Sequence, residues 1–256
     1  MVAAGVDVGA ETVKVVLLSD SKILGSSIVR GGLDRSKSAE EAMEKALQSA
    51  GIARKDVKRT VATGIGRKEV AFADQVATEI AADARGATWL FPSARTIIDV
   101  GAEEARGIRT DGKGKVTDFA KNEKCAAGVG SFVGSMARAL EITLEDMGPF
   151  SLTSDKDIPM NVTCVVFAES EVISLIHAKT LKPDIARAIH GAIATRTTSM
   201  VRRVGIEKDV VFIGGVAKNP GVVEMLRKHL GVDFLIPQEP QLVGAIGAAL
   251  IAASAN

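Results

Sequence analysis

The most informative stretch for the fold is Val2-Ala-Ala-Gly-Val-Asp-Val-Gly-Ala-Glu-Thr-Val-Lys-Val-Val-Leu-Leu18. Its first apolar run ends in Asp7-Val-Gly9, a short polar turn follows, and a second apolar run begins at Val13. This order predicts two strands joined by a tight turn, because β-branched residues favour strands, whereas Asp and Gly favour turns. The apolar run Thr96 to Val100 leads into a matching Asp99-Val-Gly101, and a second hairpin pattern follows it. The repeat predicts a duplicated α/β domain with a cleft between its two halves.

Apolar residues spaced three or four apart predict helices over much of the remaining chain. The longest predicted helix runs from Pro183 to Val204. A short helix is predicted from Thr143 to Met147, and Gly148-Pro149 is expected to end it. Strands are predicted between the helices, including Val57 to Thr63 and Asp209 to Ile213, each followed by glycine.

No stretch of linker-like composition separates the two predicted halves, and we expect the boundary near residue 95. On this division, residues 1–95 form the first half, and residues 96–256 form the second half with both cysteines. The last predicted helix, within residues 242–256, is expected to pack back on the first half.

The composition argues against nucleic acids and membranes as partners of this protein. The 256 residues have a formal net charge of +1, no Tyr and one Trp, so neither a basic field nor base-stacking aromatics indicate nucleic-acid binding. No apolar run is long enough to span a bilayer, and the first residues do not resemble a signal peptide. Two cysteines are too few for a disulfide framework in a chain of this kind. We therefore expect a cytoplasmic protein with no membrane or nucleic-acid partner.

The two cysteines, Cys125 and Cys164, carry the most distinctive chemistry. Cys125 precedes a small-residue run that predicts a helix from Val129 to Leu140. The unpaired N–H groups and the dipole at a helix start favour a thiolate, which is the form that binds metals and iron–sulfur clusters. The alternative from the residues alone is that both cysteines are small buried hydrophobic side chains.

The Asp-x-Gly turns indicate phosphate binding. Glycine lets backbone N–H groups approach phosphate oxygens, and Thr12 and Lys14 add a hydroxyl and a cation. Asp7 and Asp99 could hold water on Mg²⁺ and are the candidate catalytic residues. The sequence contains neither a Walker A loop nor a dinucleotide fingerprint, and ordinary turns remain the alternative.

Four segments resemble the phosphate-1, phosphate-2, adenosine and connecting motifs of the superfamily of acetate and sugar kinases, heat-shock chaperones and actin. They are Asp7 to Lys14, Asp99 to Gly101, Gly214 to Asn219 and Gly244 to Ala249. The resemblance implies a duplicated actin-like (ribonuclease H-like) ATPase fold that binds ATP and Mg²⁺ between the halves. The nucleotide contacts implied are Gly9, Ala10, Glu11, Thr12, Val13, Lys14, Gly101, Ala102, Gly214, Gly215, Ala217, Asn219, Gly244 and Gly247.

Two further segments, Lys124-Cys-Ala-Ala-Gly-Val-Gly130 and Thr163-Cys-Val-Val-Phe-Ala-Glu-Ser-Glu-Val-Ile173, resemble one subfamily. It comprises the ATPases that activate 2-hydroxyacyl-CoA dehydratases and the ATPase subunits of benzoyl-CoA reductase. The resemblance implies one [4Fe–4S] cluster per dimer, held by Cys125 and Cys164 of each protomer. The implied partners are a second protomer (itself or a paralogous subunit), a reductase or dehydratase that accepts the electron, and a ferredoxin-like electron donor.

The segment Asp99-Val-Gly-Ala-Glu-Glu-Ala-Arg106 departs from the dehydratase activators, which typically carry Gly-Gly-Gln-Asp after the second Asp-x-Gly position. Here Ala102 and the pair Glu103-Glu104 stand instead. Two other segments, Ala84-Arg-Gly-Ala-Thr-Trp89 and Arg106-Gly-Ile-Arg109, are more like the smaller benzoyl-CoA reductase ATPase subunit. The main prediction is therefore a benzoyl-CoA reductase ATPase subunit that hydrolyses ATP and transfers electrons, and the alternative is a homodimeric dehydratase activator. A small-molecule kinase and a nucleotide sensor without turnover are competing hypotheses.

Overall fold

The computed structural model describes residues 1–122, 129–160 and 165–254. These residues form two five-stranded mixed sheets with helices packed around them. The strands of the first sheet are β1 (Val2–Val8), β2 (Thr12–Ser19), β3 (Lys22–Arg30), β4 (Val57–Thr63) and β5 (Gln75–Val76). The strands of the second sheet are β6 (Thr96–Val100), β7 (Ala105–Thr110), β8 (Val116–Lys121), β9 (Val210–Ile213) and β10 (Phe234–Leu235).

Eight α-helices are present in the described ranges. They are α1 (Arg35–Ala50), α2 (Glu79–Leu90), α3 (Gly130–Ala139), α4 (Leu144–Ser151), α5 (Val165–His177), α6 (Lys182–Val204), α7 (Pro220–Leu230) and α8 (Val243–Ser254). Among these helices, none combines the length and apolar character needed to cross a membrane.

The two sheets share one topology, with strand orders β3-β2-β1-β4-β5 and β8-β7-β6-β9-β10. In each sheet the first three strands form an antiparallel meander, and the fourth strand pairs in parallel with the first. Asp7 on β1 lies opposite Thr63 on β4, and Asp99 on β6 lies opposite Ile213 on β9. The duplicated α/β fold predicted from the two Asp-x-Gly segments is thereby confirmed.

Separate cores stabilise the two sheets. The first core lies between β1, β2 and α1, where Leu17 and Met43 are fully buried. The larger second core lies between β6, β9 and the helices α3, α4, α6 and α7, around Phe212 and Ile189. Burial of large side chains of this kind contributes roughly 1.5–3 kcal/mol each, and the strands that carry the two aspartates are therefore held firmly.

Helix α8 packs against β1 and α2 at the distance of backbone contact. A Cβ atom added at Gly5 would lie 2.0 Å from the carbonyl oxygen of Ala245. A Cβ atom added at Gly247 would lie 1.8 Å from the carbonyl oxygen of Ala82. Only glycine fits at these crossings. The last helix can therefore pack closely on β1 of the first sheet. The division of the chain at residue 95 stays a prediction.

Two local features differ from the sequence-based expectation. Helix α4 continues to Ser151, whereas Gly148-Pro149 was expected to end it. Pro149 removes a single N–H donor, and the Thr143 side chain caps the helix start by accepting a hydrogen bond from the Asp146 N–H. Strand β5 is two residues long and pairs with Val61 and Ala62, a contact that no local pattern predicts.

Gly247→Ala is expected to lower the free energy of unfolding by about 1–3 kcal/mol, because the added methyl group forces α8 and α2 apart. Gly134→Ala is the matched control within helix α3, since its added Cβ would meet only the Arg138 Nη1 atom at 3.8 Å. Helix propensity predicts that this control is unchanged or stabilised by up to about 1 kcal/mol. Urea unfolding followed by circular dichroism measures both variants, and equal stabilities would contradict the proposed helix contact.

Candidate active site

A cleft with a volume of about 530 Å³ lies at the carboxyl ends of β1, β4, β6 and β9. Both halves of the duplicated fold contribute to its walls, as the repeated Asp-x-Gly segments predict. The predicted site residues that line it are Asp7, Gly9, Ala10, Glu11, Thr12, Lys14, Asp99, Gly101, Ala102, Gly214, Gly215, Asn219 and Gly244.

Three residues predicted with them lie elsewhere. Val13 is fully buried in the first core, because it faces away from Thr12 and Lys14 on strand β2. Ala217 is buried in the second core, and Gly247 packs against α2. The two predicted cluster ligands, Cys125 and Cys164, lie outside the described residues.

Each aspartate of the repeat is covered by a glycine from the neighbouring parallel strand. Gly64 follows β4 with a φ of +90°, and Gly214 follows β9 with a φ of +88°. A Cβ atom would lie 2.6 Å from Asp7 Oδ1 at the first position and 2.4 Å from Asp99 Oδ1 at the second. The sequence predicted a site role for Gly214 but none for Gly64, because the pairing of β1 with β4 was needed to place it.

Lys14 provides a cation at the first turn. Its Nζ atom lies 3.1 Å from Asp7 Oδ2, and the two residues are opposite each other on β2 and β1. The Gly9 N–H donates to the Thr12 carbonyl oxygen at 3.0 Å and closes the turn between them. An ammonium group and a tight glycine turn at one edge of a cleft suit the terminal phosphates of a nucleotide.

Arg106 forms the centre of a buried ionic cluster that the sequence did not predict. Its Nη2 atom donates to Glu79 Oε1 at 2.7 Å and to Glu104 Oε2 at 2.9 Å. Its Nη1 atom donates to Asp99 and lies 3.7 Å from Asp83 Oδ2. Glu79 and Asp83 share one face of α2 at a spacing of four residues, which is the only local signal that could have indicated them.

Three carboxylates of this cluster, those of Glu79, Asp83 and Asp99, have raised pKa values. Burial raises the pKa of Asp83 well above its usual value, and the charge of Asp99 raises it further. Burial also raises the pKa of Asp99 and of Glu79, although the Arg106 guanidinium opposes both shifts. Perturbed carboxylates in a cleft are typical of functional sites.

The donor set fits a Mg²⁺ ion carried by nucleotide phosphates. Asp83 Oδ2 is buried and has no hydrogen-bond partner in the described part of the chain. A Cβ atom at Gly244 would lie 3.1 Å from Asp83 Oδ1 and 3.5 Å from Asp7 Oδ2, so glycine leaves space between these two carboxylates. Within the described ranges, no three His, Cys, Asp or Glu side chains are grouped to hold a metal ion alone. Mg²⁺ commonly uses one or two carboxylates, with water and phosphate oxygens as its other ligands.

Two sheets of one topology, with an Asp-x-Gly turn from each in a shared cleft, define an actin-like nucleotide-binding fold. A ROK family glucokinase from Streptomyces griseus, solved with glucose and AMPPNP, has this fold, with a TM-score of 0.64 at 15% identity over 100% of both chains. The chain belongs to the BadF/BadG/BcrA/BcrD ATPase family, whose sequence profile matches residues 4–252.

The similarity to individual proteins of this family spans nearly the whole chain. An activator of lactoyl-CoA dehydratase from Anaerotignum propionicum is 42% identical, with 98% of this chain and 97% of the relative covered. A benzoyl-CoA reductase subunit from Thauera aromatica is 33% identical, with coverages of 97% and 92%. The structure of the activator of the 2-hydroxyisocaproyl-CoA dehydratase from Clostridium difficile with bound ADPNP has a TM-score of 0.92 at 37% identity, with coverages of 98% and 94%.

These comparisons confirm the predicted family. They also favour the alternative prediction, a dehydratase activator, over the main prediction of a benzoyl-CoA reductase subunit, because the identity to the dehydratase activators is higher. The difference at Glu103 and Glu104 was therefore a weaker guide to the kind of partner enzyme than the identity over the whole chain.

Asp83→Asn is expected to stabilise the nucleotide-free protein increasingly as the pH rises from 4 to 8. The folded protein favours protonated Asp83, so the wild-type residue stabilises the fold below its unfolded pKa, and this contribution is lost as the pH rises through the folded pKa. Each tenfold difference in proton affinity corresponds to about 1.4 kcal/mol of unfolding free energy. Asn at this position removes the titration.

The test for Asp83 is the unfolding free energy of variant and wild type at several pH values. Asp118→Asn, at an exposed position on β8, is the control for the replacement of a carboxylate outside the buried cluster. A constant difference for Asp83→Asn would show that the buried carboxylate does not titrate with folding.

Proposed function

We propose that this protein is an ATP-hydrolysing activator of a 2-hydroxyacyl-CoA dehydratase, to which it delivers an electron of low potential. The observation that carries the proposal is the shared cleft, in which Lys14 and the paired Asp7 and Asp99 face the same space. This site occurs in a chain that is 42% identical, nearly end to end, to an activator of lactoyl-CoA dehydratase.

The cleft residues suit the hydrolysis of ATP by water. Lys14 and the Thr12 hydroxyl would contact the terminal phosphates, and Asp7 with Asp99 would hold Mg²⁺ or its water ligands. Asp99 is the candidate proton acceptor for the attacking water, because burial raises its pKa. The balanced reaction is ATP and water to ADP and phosphate, and no phosphorylated side chain is needed.

Both ends of the segment that contains Cys125 are hydrogen-bonded to the second Asp-x-Gly turn. The N–H groups of Gly130 and Ser131, at the start of α3, donate to the carbonyl oxygens of Gly101 and Ala102 at 2.9 Å each. At the other end, the Asn122 N–H donates to the Ala105 carbonyl oxygen at 3.1 Å, and the Ala105 N–H donates to Asn122 Oδ1 at 2.9 Å. A displacement of this turn on hydrolysis would therefore move the cysteine segment with it.

Cys125 and Cys164 are the residues that would hold a [4Fe–4S] cluster, which supplies one-electron transfer when bound. Helix α5 begins at Val165, directly after Cys164 in the sequence, and the positive end of a helix favours a thiolate ligand. A cubane cluster needs four thiolates, and two protomers with two cysteines each supply them. The residues therefore fit a cluster shared across a dimer.

The surface of α5 supports a second protomer as the partner. Phe167, Ile173 and Ile176 are 61%, 52% and 41% exposed along this helix. Large apolar side chains exposed together on one helix indicate an interaction surface. We propose that the second protomer is another copy of this chain, and that a ferredoxin-like protein supplies the electron that the dehydratase receives. We propose a cytoplasmic location, because a reducing compartment keeps both thiols available as ligands.

A benzoyl-CoA reductase subunit is the second candidate. The features that favour it are the segments Ala84–Trp89 and Arg106–Arg109, together with Ala102-Glu103-Glu104, which differs from the pattern typical of dehydratase activators. In this structure Glu104 accepts a hydrogen bond from Arg106 at 2.9 Å, so the departure contributes to the buried cluster of the cleft. Under this hypothesis the partner across the cluster is a paralogous subunit.

Anaerobically purified protein is expected to contain about two iron and two sulfide per chain, which is half of a four-iron cluster. Cys125→Ser is expected to abolish the visible absorption of the cluster and to leave ATP binding within about threefold, because it changes none of the described residues that line the cleft. Iron and sulfide analysis with calorimetric ATP titration measures both effects. An unchanged visible spectrum in Cys125→Ser would exclude this residue as a ligand, and four iron per chain would exclude the shared cluster.

The assignment to a dehydratase is tested by mixing the reduced protein and ATP with purified acceptor enzymes. We expect ATP-dependent activation of a 2-hydroxyacyl-CoA dehydratase and no activation of benzoyl-CoA reductase. Asp7→Asn is expected to lower ATP turnover and activation together by at least about 100-fold, because the charge that positions Mg²⁺ and water is lost. Activation of the reductase alone would favour the second candidate, and ATP-dependent phosphorylation of a metabolite without activation would favour a kinase.

A further inference from the structure

A buried polar chain connects helix α6 to the wall of the cleft. His190 on α6 is 0% exposed, and its Nδ1 atom lies 2.8 Å from the Ser151 hydroxyl at the end of α4. Its Nε2 atom lies 3.3 Å from the amide Nδ2 atom of Asn219, which precedes α7 and lines the cleft. Asn219 therefore lies between His190 and any ligand in the cleft.

The hydrogen bonds determine where the proton of the ring lies. The Ser151 hydroxyl donates its single proton to the Gly148 carbonyl oxygen at 2.8 Å, and it must therefore accept from His190 Nδ1–H. The Nε2 atom then carries a lone pair and accepts from Asn219. Burial lowers the pKa of His190 to about 3, so the ring is neutral at physiological pH and this arrangement persists.

The same chain determines the orientation of the Asn219 amide. Its Oδ1 atom accepts from the N–H groups of Gly221 and Val222, at 3.0 Å and 3.2 Å, and caps the first turn of α7. A flipped amide would set two donors against these N–H groups and an oxygen against the Nε2 lone pair. One Nδ2–H is used by His190, and the second Nδ2–H remains for a ligand.

Close packing prevents this chain from moving. A Cβ atom at Gly221 would lie 2.2 Å from Ser151 Oγ and 2.4 Å from His190 Nδ1. A Cβ atom at Gly148 would lie 2.6 Å from Asn219 Oδ1. Helices α4, α6 and α7 therefore pack closely at these glycines, which have no side chain. The amide of Asn219 is thus held in its orientation before any ligand binds.

The surroundings of Asn219 suit the nucleoside part of a nucleotide better than its phosphates. The neighbouring cation, Lys218, is paired with Glu239 at 2.8 Å and leaves little net charge on this wall. The cleft wall nearby includes Val216 and Pro240, whereas Lys14 lies at the opposite turn. A base or ribose offers neutral hydrogen-bond acceptors that match one amide N–H.

We propose that His190 is a positioning residue for nucleotide recognition, which orients Asn219 so that its remaining Nδ2–H donates to an acceptor on the nucleoside. The inference rests on the proposed function, since it requires ATP in the cleft. It assigns a role in the nucleotide site to a residue of α6 that does not touch the cleft.

Two substitutions separate the two nitrogen positions of the ring. His190→Asn places an amide near the Nδ1 position, where it can still donate to Ser151, but it is too short to reach Asn219. His190→Gln reaches the Nε2 position and offers an oxygen acceptor to Asn219. We expect His190→Asn to weaken ATP binding about tenfold, the effect of one oriented hydrogen bond, and His190→Gln to stay within about threefold of wild type.

Inorganic tripolyphosphate is the control ligand, because it carries the phosphates without the nucleoside. Calorimetric titration should show unchanged tripolyphosphate affinity in both variants. An equal loss of ATP and tripolyphosphate affinity in His190→Asn would indicate a purely structural role and overturn the proposal. Unchanged ATP affinity in that variant would overturn it as well.

If His190→Asn does not fold, Asn219→Asp replaces it, since Asp retains the helix cap and removes the Nδ2–H donor. The expected result is the same selective loss of ATP over tripolyphosphate, and an unaltered ATP affinity would overturn the proposal. A wild-type chain that binds no ATP would instead overturn the proposed function itself, so the two failures are distinguishable.

Discussion

The cleft depends on the burial of Arg106 among carboxylates. Asp99 and Glu104 flank the second Asp-x-Gly turn, and Glu79 and Asp83 project from α2, so that one guanidinium joins β6, β7 and α2. Four carboxylates in one buried space would repel one another strongly without a central cation. The planar fork of arginine suits this position, because it can donate to several carboxylates at once. In the proposed activator, the remaining negative charge would attract Mg²⁺, and Lys14 would contact the phosphates.

The backbone packs closely where the strands of the cleft end, and one of its turns is hydrogen-bonded to helix α3. Gly64 and Gly214 allow the backbone to lie against Asp7 and Asp99, which holds both carboxylates through main-chain contacts. The turn after Asp99, by contrast, is hydrogen-bonded through Gly101 and Ala102 to the start of α3. A ligand that alters this turn acts directly on the start of α3. In the proposed activator, this contact would join ATP hydrolysis to electron delivery.

Much of the fold follows from local sequence. The two hairpins with Asp-x-Gly turns, the long helix α6 and the glycine-rich last helix could be predicted, because strand, turn and helix preferences act over a few residues. The same applies to most residues of the two turns, which line the cleft as expected. The continuation of α4 through Pro149 was not predicted, because it depends on the Thr143 cap and on packing against α6 and α7. A few short segments favoured the reductase subunit, whereas identity over the whole chain favours the dehydratase activator. Short segments carry less information than the whole chain.

The class of the protein, a duplicated α/β nucleotide-binding fold, follows from the sequence alone, whereas the role of its two cysteines stays a prediction. Tertiary packing sets which other residues join the cleft. Arg106 meets Glu79 across 27 positions of chain, and His190 meets Ser151 across 39. Gly64 reaches Asp7 only because β4 pairs in parallel with β1. Such contacts depend on how distant elements pack, and short-range conformational preferences do not specify them.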